Sequence, residues 1–197
     1  MAPAKTKLVQ QRQNPLRERY RSVPAEAWIR DGAQTINGCG ADAFHGAVIP
    51  DNSSGTPLCF GIHRAIGGDH DFPNPGDLLS SALAACLDST LRMIAEHLGV
   101  RLQSLEVKVQ AELDVRGCLM VDRSVPVGFQ KMHCSVRLRP EGQVDAKTLQ
   151  TLLRTAESCC VVLQTLRNGV TVSTQVDPEL LGPAGREPVI KAGASAA

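Results

Sequence analysis

The segment spanning residues 75–98 constrains the fold most, because it carries the signals of one long helix. Asn74 is a suitable N-cap, Pro75 suits the first helical position, and Asp77 can complete a box-like cap at the third. Gly99 can end the helix. Residues 78–87, in its first half, carry no charge, and a helix that is apolar or small on every face is buried on every face. We therefore expect it to run through the middle of the protein.

The pattern on both sides of this helix predicts an α+β fold. Residues 1–26 are polar without a periodic apolar face, which predicts an extended arm with at most one short helix. One domain is expected over residues 27–182, and an Ala-, Gly- and Pro-rich flexible tail over 183–197. Within the domain, period and turn signals predict short strands between 27 and 66, a loop over 67–75, strands over 104–113 and 129–138, a single helix over 145–167 and a last strand over 170–176.

Composition excludes several classes of partner. Lys and Arg number 21 against 20 Asp and Glu, so the net charge of +1 favours neither a polyanion nor an anionic membrane surface. Only six residues are aromatic, which leaves little for stacking on bases. No apolar stretch of about 18 residues and no export signal is apparent. The sequence predicts a cytoplasmic protein that binds neither nucleic acid nor membrane.

Seven cysteines are the main source of chemistry in the sequence. An odd count argues against a closed disulfide framework, and the absence of metal-ligand spacing predicts no metal site. Cys86 lies on the first long helix and the adjacent Cys159 and Cys160 on the second, so packing of the two helices can bring a thiol of each within bridging range. Such a pair can cycle through a sulfenic acid and a disulfide. The alternative is that all three are ordinary buried cysteines, as is expected for Cys39, Cys59, Cys118 and Cys134.

Two segments resemble the signatures of the OsmC/Ohr superfamily, the osmotically inducible protein C and organic hydroperoxide resistance proteins. Residues 74–86, Asn-Pro-Gly-Asp-Leu-Leu-Ser-Ser-Ala-Leu-Ala-Ala-Cys, are similar to its Asn-Pro-acid-acid-Leu and Ala-Ala-Cys signature. Residues 160–170 resemble its Cys-Pro-Val stretch, with Val161 where proline is usual. The resemblance extends over about residues 27–176. It implies an intertwined homodimer in which curved antiparallel sheets wrap around two long central helices.

The resemblance also implies roles for individual residues. Cys86 corresponds to the peroxidatic cysteine and Cys160 to the resolving one, although helical periodicity does not separate Cys160 from Cys159. Arg64 corresponds to the arginine held near the peroxidatic sulfur, where it favours the thiolate.

The sequence departs from the family pattern at the glutamate that orients this arginine, because Gly76 stands in its place. Glycine has no side chain to accept a hydrogen bond. Asp77 is the adjacent candidate for the role, although the cap also claims it, and Asp69 and Asp71 are further candidates.

The function implied is a thiol-dependent peroxidase that reduces organic hydroperoxides to alcohols and is restored by an external dithiol, without a cofactor. Gly76 keeps two alternatives open on the same fold. One is a small-molecule-binding protein that retains Cys86 without turnover. The other is a redox sensor in which a disulfide between Cys86 and Cys160 alters partner binding through the N-terminal arm.

Overall fold

The structure is a computed structural model that describes residues 8–40, 42–51 and 55–176. It is α+β, as predicted from the order of elements. The helices are α1 (Leu8–Ser22), α2 (Pro75–His97), the single turn α3 (Val115–Cys118), α4 (Ala146–Cys159) and α5 (Val161–Asn168). The strands are β1 (Ala33–Ile36), β2 (Gly46–Pro50), β3 (Leu58–Phe60), β4 (Leu102–Glu112) and β5 (Lys131–Pro140). The predicted tail over 183–197 lies outside the described residues.

Two separate antiparallel sheets form in the described chain. The first has the order β1-β2-β3, and the second pairs β4 with β5 over their whole length. In the second sheet Val107 lies opposite Val136 and Val109 opposite Cys134, on the face that packs against the core. The first sheet makes few contacts with the helices or with the second sheet. The chain therefore has one main core, built by α2, α4, α5 and the β4-β5 pair.

Helix α2 has the predicted ends. Asn74 Oδ1 accepts hydrogen bonds from the backbone N–H groups of Gly76 (2.8 Å) and Asp77 (3.2 Å), and Asp77 Oδ2 accepts one from the Asn74 N–H (3.0 Å). This reciprocal capping box satisfies donors that would otherwise have no partner in the first turn. Gly99 follows the helix with φ 73°, the left-handed conformation that glycine adopts without steric cost.

Helix α2 is not buried on every side, which corrects the expectation from its composition. One face is buried against α4, α5 and β4, and its buried hydrophobic residues recur every four positions: Leu83, Leu87, Leu91 and Ala95. On another face Ser81, Ala82 and Ala85 are exposed. The single chain supplies packing partners for one side of α2 only, so the uncharged first half keeps an open face of small residues. The same composition and length would also let α2 cross a bilayer, contrary to the expectation that no stretch could.

The predicted extended arm is instead largely helical, since α1 covers 15 residues. Its first turn is tied to the last turns of α2: the Val9 N–H donates to Glu96 Oε1 (2.7 Å) and Gln10 Nε2 to the His97 carbonyl (3.3 Å). The residues of α1 are mostly good helix formers, and none of them is buried. No apolar period was needed, because polar contacts with α2 hold the helix.

The second long helix is broken, where one continuous helix was predicted. Cys160 separates α4 from α5 with extended dihedral angles, φ −74° and ψ 106°. Gln164 Nε2 donates to the Glu157 carbonyl (2.7 Å), which satisfies one of the acceptors that the break leaves open. The apolar positions continue through the break, so the periodicity of the sequence did not reveal it.

The predicted strand over 170–176 does not form in the single chain, where these residues have no regular secondary structure. Its valines alternate along the chain and are exposed: Val170 (68%), Val172 (65%) and Val176 (43%). A strand requires a neighbour for its backbone hydrogen bonds, and the described chain offers none at this place.

Candidate functional site

Two thiols from neighbouring helices meet in the core. Cys160 is fully buried at the junction of α4 and α5, and Cys86 is half-buried in the middle of α2, packed against the same cluster. Cys86 lies close enough to raise the pKa of the Cys160 thiol. Both thiols are free in the structure. They are therefore neighbours in the core, as a disulfide bond between them would require.

The break between α4 and α5 distinguishes Cys160 from its neighbour. Cys159 ends α4 and is exposed, whereas Cys160 has no exposed surface. Periodicity alone had left the two equivalent. The structure brings Cys160, and not Cys159, to Cys86.

Burial raises the pKa of the Cys160 thiol, because a thiolate is disfavoured away from water. The Leu163 N–H opposes this by favouring the thiolate, while Cys86 adds to the increase. Cys160 therefore stays protonated at neutral pH and can donate its S–H to Cys86. Cys134 on β5 also has a raised pKa through burial, and its charge acts on Cys160.

The backbone at Cys86 is fixed by two hydroxyl groups. Thr90 Oγ1 donates to the Cys86 carbonyl at 2.7 Å, and Ser89 Oγ donates to the same oxygen at 3.0 Å. Thr90 is the buried polar residue of the core. Side-chain hydrogen bonds of this kind compete with the regular helical hydrogen bond and can bend a helix. The two hydroxyl groups therefore influence the position of the Cys86 carbonyl.

Arg64 lies on an exposed 3₁₀ turn, Arg64–Ile66, in the loop between β3 and α2. Its Nε donates to the Asp69 carbonyl at 3.0 Å. Among the described residues it makes no hydrogen bond or ion pair with Cys86 or Asp77. The structure does not bring the predicted arginine and the predicted thiol together.

Asp77 belongs to the helix cap and not to the arginine. Its Oδ2 also accepts a hydrogen bond from Asn74 Nδ2 (2.6 Å) and lies 3.7 Å from His70 Nε2. Oδ2 of Asp77 is therefore used by the first turn of α2, and Asp77 makes no hydrogen bond or ion pair with Arg64 among the described residues, so its role as an orienting carboxylate stays a prediction. Asp69 meets Arg64 only through its backbone oxygen, and Asp71 pairs with His45.

The place of the missing glutamate is occupied by an aromatic ring. A Cβ atom on Gly76 would lie 2.8 Å from Phe129 Cζ and 2.9 Å from Asn74 Oδ1, closer than Cβ contacts occur. Phe129 is half-buried and lies two residues before β5. Gly76 therefore has a packing reason for being glycine, which no signal in the sequence indicated.

A cavity of about 690 Å³ lies between α2, β5, α4 and α5, the elements around the thiol pair. Its wall is largely aliphatic. Leu87 follows Cys86 directly, and Leu163 lies about one helical turn after Cys160. The other apolar residues of the wall are Leu79, Leu83, Leu91, Phe129, Met132, Val136, Leu153 and Leu166. Cys134 also lines it, while Cys86 and Cys160 are not among its described lining residues. The cavity is large enough for a small organic molecule.

The structure contains a disulfide that the sequence did not predict. Cys39, in the turn after β1, is bonded to Cys59 on β3, with Cα atoms 5.6 Å apart. The interpretation of these two cysteines as isolated small hydrophobes is wrong. They are brought together by the β1-β2-β3 order, because β2 carries the chain back between them, and the 20-residue separation alone gave no indication of this.

Solved structures with the same fold come from bacterial OsmC-like proteins. An OsmC-like protein from Mycoplasma pneumoniae aligns with a TM-score of 0.57 at 12% identity, over 72% of this chain and 89% of that one. An OsmC-like protein of unknown function from Vibrio cholerae gives 0.58 at 11% identity, over 70% and 94%. An organic hydroperoxide resistance protein OsmC from Legionella pneumophila gives 0.52 at 20% identity, over 72% and 92%. A search of curated proteins finds no significant match.

The fold and the buried thiol pair define an α+β protein with two antiparallel sheets and a two-cysteine core. The family model for OsmC-like proteins matches residues 68–175, which is more than half of the chain. The chain belongs to the OsmC-like family. The resemblance inferred from residues 74–86 and 160–170 is thereby confirmed.

Proposed function

We propose that this protein is a thiol-dependent peroxidase that reduces organic hydroperoxides to alcohols through Cys86 and Cys160. The observation that carries the proposal is the proximity of these two thiols at the α4-α5 junction. A relative of the same fold is named an organic hydroperoxide resistance protein, which supports this substrate class. The aliphatic cavity between the elements around the pair can accept the organic part of such a substrate.

The proposed chemistry divides into three steps. The Cys86 thiolate attacks the outer oxygen of the hydroperoxide, the O–O bond breaks, and the alkoxide takes a proton and leaves as the alcohol. Cys86 is then a sulfenic acid, and the Cys160 sulfur attacks it to form a disulfide and release water. An external dithiol reduces this disulfide by exchange and becomes a disulfide itself. Burial keeps Cys160 protonated until the second step, which assigns the first attack to Cys86.

Arg64 is proposed to bring positive charge to Cys86 when its loop approaches the thiol. Its Nε is used by the Asp69 carbonyl, while its two terminal nitrogens have no hydrogen-bond partner among the described residues. A guanidinium with free donors can favour a nearby thiolate. Orientation by a carboxylate is replaced in this proposal by orientation from the backbone oxygen of Asp69.

The proposed working form is a homodimer, and a second copy of this chain would cover surfaces that the single chain leaves open. These surfaces are the small-residue face of α2, the valine stripe over 170–176 and the β1-β2-β3 sheet that is nearly detached from the core. Exposed, alternating valines on an unpaired backbone favour a strand that pairs with another copy.

Sedimentation of the protein tests the dimer, with two valines of equal exposure as a matched pair. Val172 lies in the unpaired stripe and Val127 in a loop, and both are 65% exposed. The wild type is expected to sediment with the mass of two chains. Val172→Lys should shift the measured mass toward that of one chain, while Val127→Lys should leave it unchanged. A wild-type protein that sediments as a single chain would contradict the dimer.

Consumption of cumene hydroperoxide in the presence of a dithiol tests the activity. We expect steady turnover by the wild type and none by Cys86→Ser. Without the dithiol, one equivalent of peroxide should leave the wild type with a disulfide between Cys86 and Cys160, and Cys160→Ser with a sulfenic acid at Cys86. Cys159→Ser is the matched control and should behave as the wild type. Absence of turnover by the wild type would reject the proposal.

A small-molecule-binding protein is the second candidate, favoured by the ring of Phe129 in the place of the orienting glutamate. It predicts saturable binding of apolar ligands without consumption of peroxide. A redox sensor differs from both, because it would consume one oxidising equivalent and then change the protease sensitivity of α1.

A further inference from the structure

A histidine outside the thiol site is held between two carboxylates. His45 Nδ1 lies 2.9 Å from each oxygen of Asp42, and its Nε2 lies 3.1 Å from Asp71 Oδ1 and 3.2 Å from Oδ2. The ring meets Phe72 edge to face, with centroids 6.1 Å apart. Its side chain is only 12% exposed, although both carboxylates are half exposed.

The geometry requires both ring nitrogens of His45 to carry protons. An ionised carboxylate only accepts hydrogen bonds, so each nitrogen must donate. A neutral imidazole has one N–H, which would leave a lone pair facing carboxylate oxygens. In agreement, the hydrogen bonds to Asp42 and then to Asp71 raise the pKa of His45 above its ordinary value.

These contacts connect two segments that are far apart in sequence. Asp42 and His45 belong to the turn before β2, whereas Asp71 and Phe72 belong to the loop between β3 and α2. The loop is closed at its base by the Gly61 N–H and the Pro73 carbonyl (3.1 Å).

Internal hydrogen bonds organise the same loop around Arg64. The His70 N–H donates to the Ile62 carbonyl (3.1 Å), and the Gly68 N–H donates to the His63 carbonyl (3.2 Å). Arg64 lies within this loop and is bonded to the Asp69 carbonyl, two residues before Asp71. The ion pair of His45 therefore joins the turn before β2 to the arm of the loop that holds Arg64.

We propose that His45 is a positioning residue for the arginine loop: as an imidazolium it ties the loop to the turn before β2 through Asp71, and loss of its proton releases the loop. The proposal rests on the proposed function for the part that concerns Arg64 and Cys86. Both hydrogen bonds of the His45 imidazolium, to Asp42 and to Asp71, are present below the ordinary histidine pKa of about 6.5. They are lost as the pH rises through the pKa of His45 in the folded protein, which is higher. The groups facing His45 are Asp42 on its own turn and Asp71 and Phe72 on the loop.

Amide hydrogen exchange of the full chain between pH 5.5 and 8.5 tests the proposal without requiring activity. Protection factors of the Gly61, Gly68 and His70 amides, corrected for the intrinsic pH dependence of exchange, should fall roughly threefold to tenfold with rising pH in the wild type. In His45→Gln they should be low at every pH. Asp71→Asn should also lower them, while it leaves the contact between His45 and Asp42.

A matched control removes an ion pair elsewhere. Glu141 Oε2 lies 3.2 Å from Arg101 Nε at the far end of the β4-β5 sheet, and both side chains are exposed. Glu141→Gln should keep the wild-type exchange profile. If it lowers loop protection as much as Asp71→Asn does, the effect is general and the proposal fails.

Two results would overturn the proposal. The first is a wild-type protection of the loop that does not change with pH. The second is a pH dependence that persists in His45→Gln, which would assign it to His70, whose ring lies against His63 and near Asp77. Peroxide turnover adds a separate readout: Arg64 is held away from Cys86 in the tied loop, so where the wild type is active, kcat/KM of His45→Gln should exceed that of the wild type most at low pH and approach it at high pH. A wild type without turnover would reject the proposed function and leave the exchange result to decide the role of His45.

Discussion

Replacement of Gly76 by alanine tests whether the ring of Phe129 closes the place of the missing glutamate. The added Cβ would lie 2.8 Å from Phe129 Cζ, and ordinary contact begins at 3.4 Å, so the ring must retreat by about 0.6 Å. Overpacking of this kind costs about 1 to 3 kcal/mol. Alanine in a helix recovers about 0.5 to 1 kcal/mol relative to glycine. We expect a net loss of about 1 kcal/mol in the free energy of unfolding.

Urea unfolding at one fixed chain concentration measures this effect, since stability depends on concentration if the chain associates. Gly128→Ala is the matched control, because a Cβ there meets nothing within 4 Å. It should be neutral or stabilise by up to about 1 kcal/mol through the unfolded state.

A double-mutant cycle with Phe129→Ala isolates the contact between the ring and residue 76. Once the ring is removed, Gly76→Ala should lower the free energy of unfolding by less than it does in the wild type, with a coupling energy of about 1 kcal/mol between the two substitutions. The remaining contact with Asn74 Oδ1 keeps the coupling below the full overpacking cost. A coupling energy near zero, or a Gly76→Ala protein as stable as Gly128→Ala, would refute the reasoning.

Three further predictions concern the core, the helix break and the disulfide. Leu152→Ala, at a fully buried position, should lower the unfolding free energy by about 2 to 5 kcal/mol in a denaturant titration, and clearly more than Leu153→Ala, where the side chain is 40% exposed. Val161→Pro should be neutral or stabilise by up to about 1 kcal/mol in the same titration, because proline suits the first position of α5; a large loss would show that α4 and α5 are continuous in solution. Mass spectrometry after alkylation of the denatured, unreduced protein should find five reactive thiols, and seven would contradict the disulfide. The double substitution Cys39→Ser with Cys59→Ser should lower the free energy of unfolding by about 3 kcal/mol, because the disulfide closes a loop of 20 residues.

The sequence predicted those features that local chemistry determines. The ends of α2 depend on Asn74, Pro75, Asp77 and Gly99, and the strands β4 and β5 on strict alternation, and both are confirmed. The family was predicted because residues 74–86 and 160–170 keep their spacing. That a thiol of each helix can meet followed from two helices that must pack together, but which of Cys159 and Cys160 does so did not.

Features that depend on distant residues could not be predicted in the same way. The break at Cys160 is supported by a glutamine side chain seven residues from the carbonyl it satisfies, and apolar positions repeat through it unchanged. The disulfide of Cys39 and Cys59 needs the register of three strands. Asp77 has the right charge to orient an arginine, but the cap already uses its Oδ2, and the sequence does not show which of the two partners that oxygen takes.

The break between α4 and α5 has a mechanical consequence for the oxidised state. The proposed disulfide would bring two neighbouring sulfurs to about 2.05 Å. In a continuous helix that displacement would be resisted by the hydrogen bonds of several turns. At Cys160 the chain leaves the helical conformation for one residue, with ψ 106°, and its N–H and carbonyl keep one hydrogen bond each, to Ala156 and Gln164. For the proposed disulfide, the junction is therefore the place where the chain can yield with the least disturbance of the core around Leu152 and Leu83.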